Sequence, residues 1–83
     1  MAEYRGKPDD VRAAARARER AHGPDALDTL AALCNLAQLL ASSHRRRGEA
    51  VDLLRDTLER CERALRPDDP LTAEVRRQLE ELN

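Results

Sequence analysis

Aromatic side chains are almost missing from this chain: 83 residues contain one Tyr and neither Phe nor Trp. That removes the stacking platforms with which single-stranded nucleic acids are held. The β-branched residues are few, confined to Val11, Val51, Val75, Thr29, Thr57 and Thr72, which leaves little from which to build a sheet. No excess of one charge exists either, because 15 basic side chains face 16 acidic ones for a net charge of −1. A dedicated nucleic-acid or membrane-surface binder carries a basic surplus. No apolar run approaches the ~18 residues of a membrane span, and the polar residues 1–10 do not read as a secretory leader. A cytoplasmic protein without membrane contact is expected. Lysine is scarce as well: one Lys against fourteen Arg points to a GC-rich, bacterial genome. Cys34 and Cys61 show no Cys-x-x-Cys spacing, so two buried, reduced thiols are expected, a disulfide or metal role being the alternative.

What the chain does contain is alanine and leucine, strong helix formers, and a repeat of itself. Glu19-Arg20-Ala21-His22-Gly23-Pro24-Asp25 returns as Glu62-Arg63-Ala64-Leu65-Arg66-Pro67-Asp68, and Thr29 returns as Thr72, at an offset of 43 residues. Self-similarity at such a period marks an all-α stacked-repeat protein whose units bury their apolar faces on one another. The length allows one small domain over residues 1–83.

Proline and glycine divide that domain into four helices, over about 8–22, 26–43, 49–65 and 70–82. The first opens with Pro8, Asp9 and Asp10 and stops at Gly23-Pro24. Its apolar positions, Val11, Ala14, Ala15, Ala17 and Ala21, form a thin stripe. Asp25 is the expected cap of the second helix, with Asp28 completing a capping box. Leu27, Leu30, Ala31, Leu33, Cys34, Leu36, Ala37, Leu39 and Leu40 ring that helix on nearly every side. It should therefore lie at the centre. After a polar turn over residues 42–48, the third helix presents Ala50, Leu54, Leu58, Cys61 and Leu65 in one stripe, widened by Val51 and Leu53. Asp56/Arg60, Glu59/Arg63 and Glu62/Arg66 are expected to pair along its solvated face. Asp69 caps a fourth helix with Pro70 in its first turn. Leu71, Val75, Leu79 and Leu82 face inward there, and Glu74, Arg76, Arg77, Glu80 and Glu81 face outward.

The stretch Glu49-Ala50 through Leu58-Glu59, followed by Glu62-Arg63-Ala64-Leu65-Arg66-Pro67-Asp68-Asp69-Pro70-Leu71-Thr72, resembles the second helix and link of tetratricopeptide repeats of the kinesin-light-chain type. Leu33-Cys34-Asn35-Leu36-Ala37 resembles the core of the first helix of such a repeat. The resemblance runs from about Asp9 to Leu82 and implies a right-handed antiparallel stack, with helices two and three as one complete pair and helices one and four as halves of neighbouring pairs. Thr57 stands where the family has Ala. Helix one holds Ala13, Ala14 and Ala15 where the family has Leu, so its packing should be weaker than that of a normal repeat. The offset of 43 is one residue longer than the family period, which places an extra residue in the turn at 43–47.

The resemblance also implies a function, the binding of a protein or peptide partner along the first helix of each pair. On helix two that surface is Asp28, Ala31, Asn35, Gln38, Leu39 and Ser42. Asn35 falls where the family grips a ligand backbone, and an amide offers donor and acceptor together; bonding to a neighbouring helix is its other reading. Arg12, Arg16 and Arg20, with Arg45, Arg46 and Arg47, are either a patch for an acidic ligand, using the guanidinium fork, or a solvated face. The structural alternative is self-assembly into a dimer through the edges of helices one and four. His22 and His44 sit near helix ends, where the helix dipole accounts for them. Ser42-Ser43-His44 is consecutive in sequence and cannot orient a triad. No His-Glu-x-x-His or glycine-rich phosphate loop occurs. Neither an enzyme nor a cofactor or metal protein is expected.

Overall fold

The computed structural model describes residues 8–82. Helix α1 spans Pro8–His22, α2 Leu27–Ala41, α3 Arg47–Ala64 and α4 Pro70–Leu82, with one 3₁₀ turn at His44–Arg46. The all-α stack is layered in chain order. Helix α2 packs on α1 and on α3, α3 packs on α4, and α2 also reaches α4.

Each boundary has a local cause. Asp9 and Asp10 lie in the first turn of α1, Arg20 and His22 in its last, matching the helix dipole at both ends. Gly23 then takes φ 100°, a left-handed conformation that ends the helix. The expected cap of α2 is not made. Ala26 occupies the cap position with extended backbone and no side-chain bond. The Asp25 carboxylate turns instead toward Arg63 of α3, at 3.5 Å and without hydrogen-bond geometry, while Asp28 faces His22 at 3.6 Å. Helix α4 starts as its sequence suggests, with Asp69 Oδ1 accepting the Leu71 N–H at 2.9 Å. Helix α3 begins before Gly48, at Arg47. Arg46 fixes that first turn by donating from Nε and Nη2 to the two Glu49 oxygens, at 3.0 and 3.3 Å.

The corner α1–α2 and the corner α3–α4 are built from the same bonds. The Thr29 hydroxyl donates to the Gly23 carbonyl at 2.7 Å, and that of Thr72 to the Arg66 carbonyl at 3.5 Å. Ala26 N–H donates to Gly23 O as Asp69 N–H does to Arg66 O, and Leu30 N–H to Ala26 O as Ala73 N–H does to Asp69 O. Every partner in the second corner lies 43 residues beyond its counterpart in the first. Both threonines are fully buried, and each hydroxyl has its acceptor, as burial requires. Thr57, also buried, donates to Leu53 O at 2.7 Å.

Leu30, Cys34 and Ala37 of α2 form one cluster with Leu54 and Cys61 of α3 and Val75 of α4. Leu36 and Leu40 form a second with Ala50, against which Val11 packs. Deleting a side chain such as Leu54 would cost about 2–5 kcal/mol, comparable to the whole stability of so small a domain. Three expectations are corrected. Leu27 is 54% exposed, because helical side chains lean toward the N-terminus and this first residue projects past the end of the stack. Among the described residues of α1 only Ala15 is buried, at 2% exposure; Ala14, Ala17 and Ala21 face solvent, since α2 is the helix that packs on α1. On α3, Asp56 and Arg60 pair at 3.2 Å, but Arg63 and Glu62 do not pair within their own helix. They reach Asp25 at 3.5 Å and Arg76 at 3.2 Å, tying α3 to the neighbouring layers.

The two glycines should respond oppositely to alanine. At Gly48 an added Cβ meets nothing within 4 Å, so Gly48→Ala gains helix propensity of about 0.5–1 kcal/mol. The expected rise in the circular-dichroism melting temperature is about 2–8 °C. At Gly23 the space is equally open, but φ is +100°; Gly23→Ala should lower the melting temperature through a backbone cost of about 1–2 kcal/mol.

Candidate functional site

Asp28, Ala31, Asn35, Gln38 and Ser42 follow one line along α2, three and four residues apart, on the side turned from Leu36 and Leu40. The structure does not keep this line as a single surface. Asp28, Ala31 and Asn35 border a cleft of about 210 Å³ shared with Val11, Ala14 and Arg18 of α1. Gln38, with Ala41, borders another of about 230 Å³ whose far wall is Glu74, Arg77, Gln78 and Glu81 of α4. Asn35 is exposed, whereas Gln38 and Leu39 are half-buried. Ser42 lies at the end of the line, its hydroxyl donating to Leu39 O at 2.6 Å.

The α4 wall is an ordered polar array. Arg77 donates to Glu74 at 2.6 Å and to Glu81 at 2.9 Å. Gln78 donates to Glu74 Oε2 at 2.8 Å. Hydrogen bonds from Arg77 and then Gln78 hold the Glu74 carboxyl below its ordinary range. Gln78 is buried, 8% exposed, and its Nε2 also lies 3.3 Å from Cys34 Sγ. One amide thus joins the core to the cleft. Sequence reading missed these α4 residues, although the repeat held the signal. Glu74, Gln78 and Glu81 stand 43 residues after Ala31, Asn35 and Gln38.

The arginine patch is only partly assembled. Arg12 approaches Glu49 at 3.7 Å and Arg46 bonds the same carboxylate at 3.0 Å, so α1 and the turn before α3 meet at one acid. The Arg46 hydrogen bond holds Glu49 below the usual carboxylate range. Arg16 and Arg20 are exposed beside Arg12 and Asp9, and Arg45 and Arg47 are exposed near the turn. The structure brings Arg12 and Arg46 together and leaves the two triples apart.

Residues 29–71 match the family model for the tetratricopeptide repeat. The chain belongs to the tetratricopeptide-repeat family. The matched segment starts at one corner threonine, crosses α2 and α3 and ends at Leu71 in the first turn of α4. The kinesin-light-chain-like form of the link is consistent with it. No curated protein and no solved structure matches the chain. Members of this family are in general protein–protein interaction modules and not enzymes. Among the described residues no helix is long and apolar enough to cross a membrane, and no three His, Cys, Asp or Glu side chains gather as a metal site would require.

Cys34 and Cys61 are free and buried, and burial pushes both thiols above their ordinary range. The thiolate is the reactive form, so the folded chain should react with an aromatic disulfide reagent at pH 8 at least about tenfold more slowly than the chain in guanidinium. Equal rates would contradict the burial.

Proposed function

We propose that the four helices act as one protein-binding unit, which takes a partner segment across α2 toward α4. The observation that supports this reading is the cleft between Gln38 on α2 and the Glu74–Arg77–Glu81 array on α4. Amides such as Asn35 and Gln38 grip a peptide backbone whatever its sequence. Leu39 beside them is a candidate apolar contact, with Asp28, Ala31 and Ser42 extending the line. Arg16 and Arg20, exposed next to the Arg12–Glu49 pair, are a secondary place for an acidic side chain of the partner. One full repeat supplies a short groove, so modest affinity is expected.

Self-assembly is the weaker reading. The outer sides of α1 and α4 carry Ala14, Ala17 and Ala21 on one and Ala73, Arg76 and Glu80 on the other, all exposed. Obligate dimers join through broad apolar faces. The arginine-for-lysine bias and two thiols without a disulfide support placing this activity in a bacterial cytoplasm.

Peptides selected from a displayed random library test the reading. Asn35→Ala combined with Gln38→Ala removes two amides, each worth about 0.5–1.5 kcal/mol net. The affinity of selected peptides should fall about tenfold while the melting temperature stays within about 2 °C. Peptides that bind the double variant as tightly as the parent would remove α2 from the interface.

A further inference from the structure

The shared bonding of the two corners allows both ends of the stack to be compared position by position. Val11, Ala14 and Arg18 of α1 stand 43 residues before Leu54, Thr57 and Cys61 of α3. Asp28, Ala32 and Asn35 of α2 stand 43 before Leu71, Val75 and Gln78 of α4. The later set is the seat of α2 itself. Leu30, Cys34 and Ala37 enter one cluster with Leu54, Cys61 and Val75, and the Gln78 amide meets Cys34. The earlier set lines the cleft of about 210 Å³ between α1 and α2, with no helix over it among the described residues.

We propose that this cleft is the seat for one amphipathic helix of a partner protein, docked as α2 docks on α3 and α4. Its walls define the chemistry of the occupant. Val11, Ala14 and Ala32 replace Leu54, Thr57 and Val75 with smaller side chains, so the occupant presents leucine-sized residues at three- and four-residue spacing. Arg18 replaces Cys61, which packs in one buried cluster with Cys34. An acid at the place of Cys34 therefore meets Arg18, which takes part in none of the ion pairs among the described residues. Asp28 replaces Leu71 and is already faced by His22 of α1 at 3.6 Å, so the charge asked of the occupant is the acid opposite Arg18. A second copy of the chain does not fit. Its equivalent helix is α4, which carries Arg77 at the place of Cys34 and would set one guanidinium against another. The proposal rests on the protein-binding reading above only in its general sense, for it uses the α1 side of α2 and neither Gln38 nor α4.

The probe is a fluorescent, helix-stapled peptide with the sequence of residues 27–42, carrying Cys34→Glu, titrated against the whole chain by anisotropy. Saturable binding is expected, weakened about tenfold or more by Arg18→Glu in the protein and restored when the peptide carries Cys34→Arg instead. Gln38→Ala in the protein should leave it unchanged, which separates this seat from the α2–α4 cleft. Arg18 is exposed, and an unshifted melting temperature checks that Arg18→Glu is folded. No saturable binding, or equal affinity for Arg18→Glu, would overturn the proposal. So would a loss with Gln38→Ala as large as with Arg18→Glu. Loss of binding at high protein concentration with a doubled mass would give the seat to a second copy, which also overturns it.

Discussion

A buried threonine hydroxyl held on a backbone carbonyl fixes the direction in which the chain leaves each corner, and the stack depends on that constraint. Thr29 on Gly23 O and Thr72 on Arg66 O span six residues each and bind the helix that follows to the corner just after the preceding helix. With both corners set alike, α1 meets α2 as α3 meets α4, and α2 is enclosed between neighbours. Leucines carried on nearly all its sides can then be buried at once. A hydroxyl without its acceptor in such a place would cost about 1–3 kcal/mol, so the corner and the core enforce each other.

The corners differ in how they are entered. Gly23 turns through a positive φ, whereas α3 ends with Leu65 in extended backbone, φ −118° and ψ 168°. The two routes deliver the same hydrogen bonds, the shorter one at the glycine. What repeats in this chain is thus the bonding of the corner and not its backbone path. Ion pairs add to it from outside: Asp25–Arg63 and Glu62–Arg76 cross between layers, and Arg60 Nη1 reaches Pro24 O at 3.3 Å. Exposed pairs of this kind contribute about 0–1 kcal/mol apiece.

Much of the fold was legible because its signals are local. Gly23-Pro24, Pro67 and Asp69-Pro70 mark stops and starts through backbone chemistry that needs no tertiary context, and the leucine pattern of α2 announces its central place. The errors fall where a side chain chooses between a near partner and a distant one. Asp25 could cap α2, yet Arg63 lies across the corner; Glu62 could bond Arg66, yet Arg76 of the next layer is there. Leu27 reads as core by spacing, and only the end of the stack exposes it. The candidate site was legible in part. Asn35 and Gln38 come from helical spacing, but the division of their line between two clefts depends on where α1 and α4 lie, and Arg18 has meaning only once its position is compared with that of Cys61.

Helix α1 is held along a single side, by Ala15 and a half-buried Val11, while α2 is held along several. Its alanines bury little area, and each methylene absent from the contact forgoes about 0.8 kcal/mol. Local opening is easiest where buried apolar contacts are fewest, so backbone amides of α1 exchange with solvent ahead of those of α2 and α3. This end of the stack is therefore the end whose order a bound ligand can most readily change.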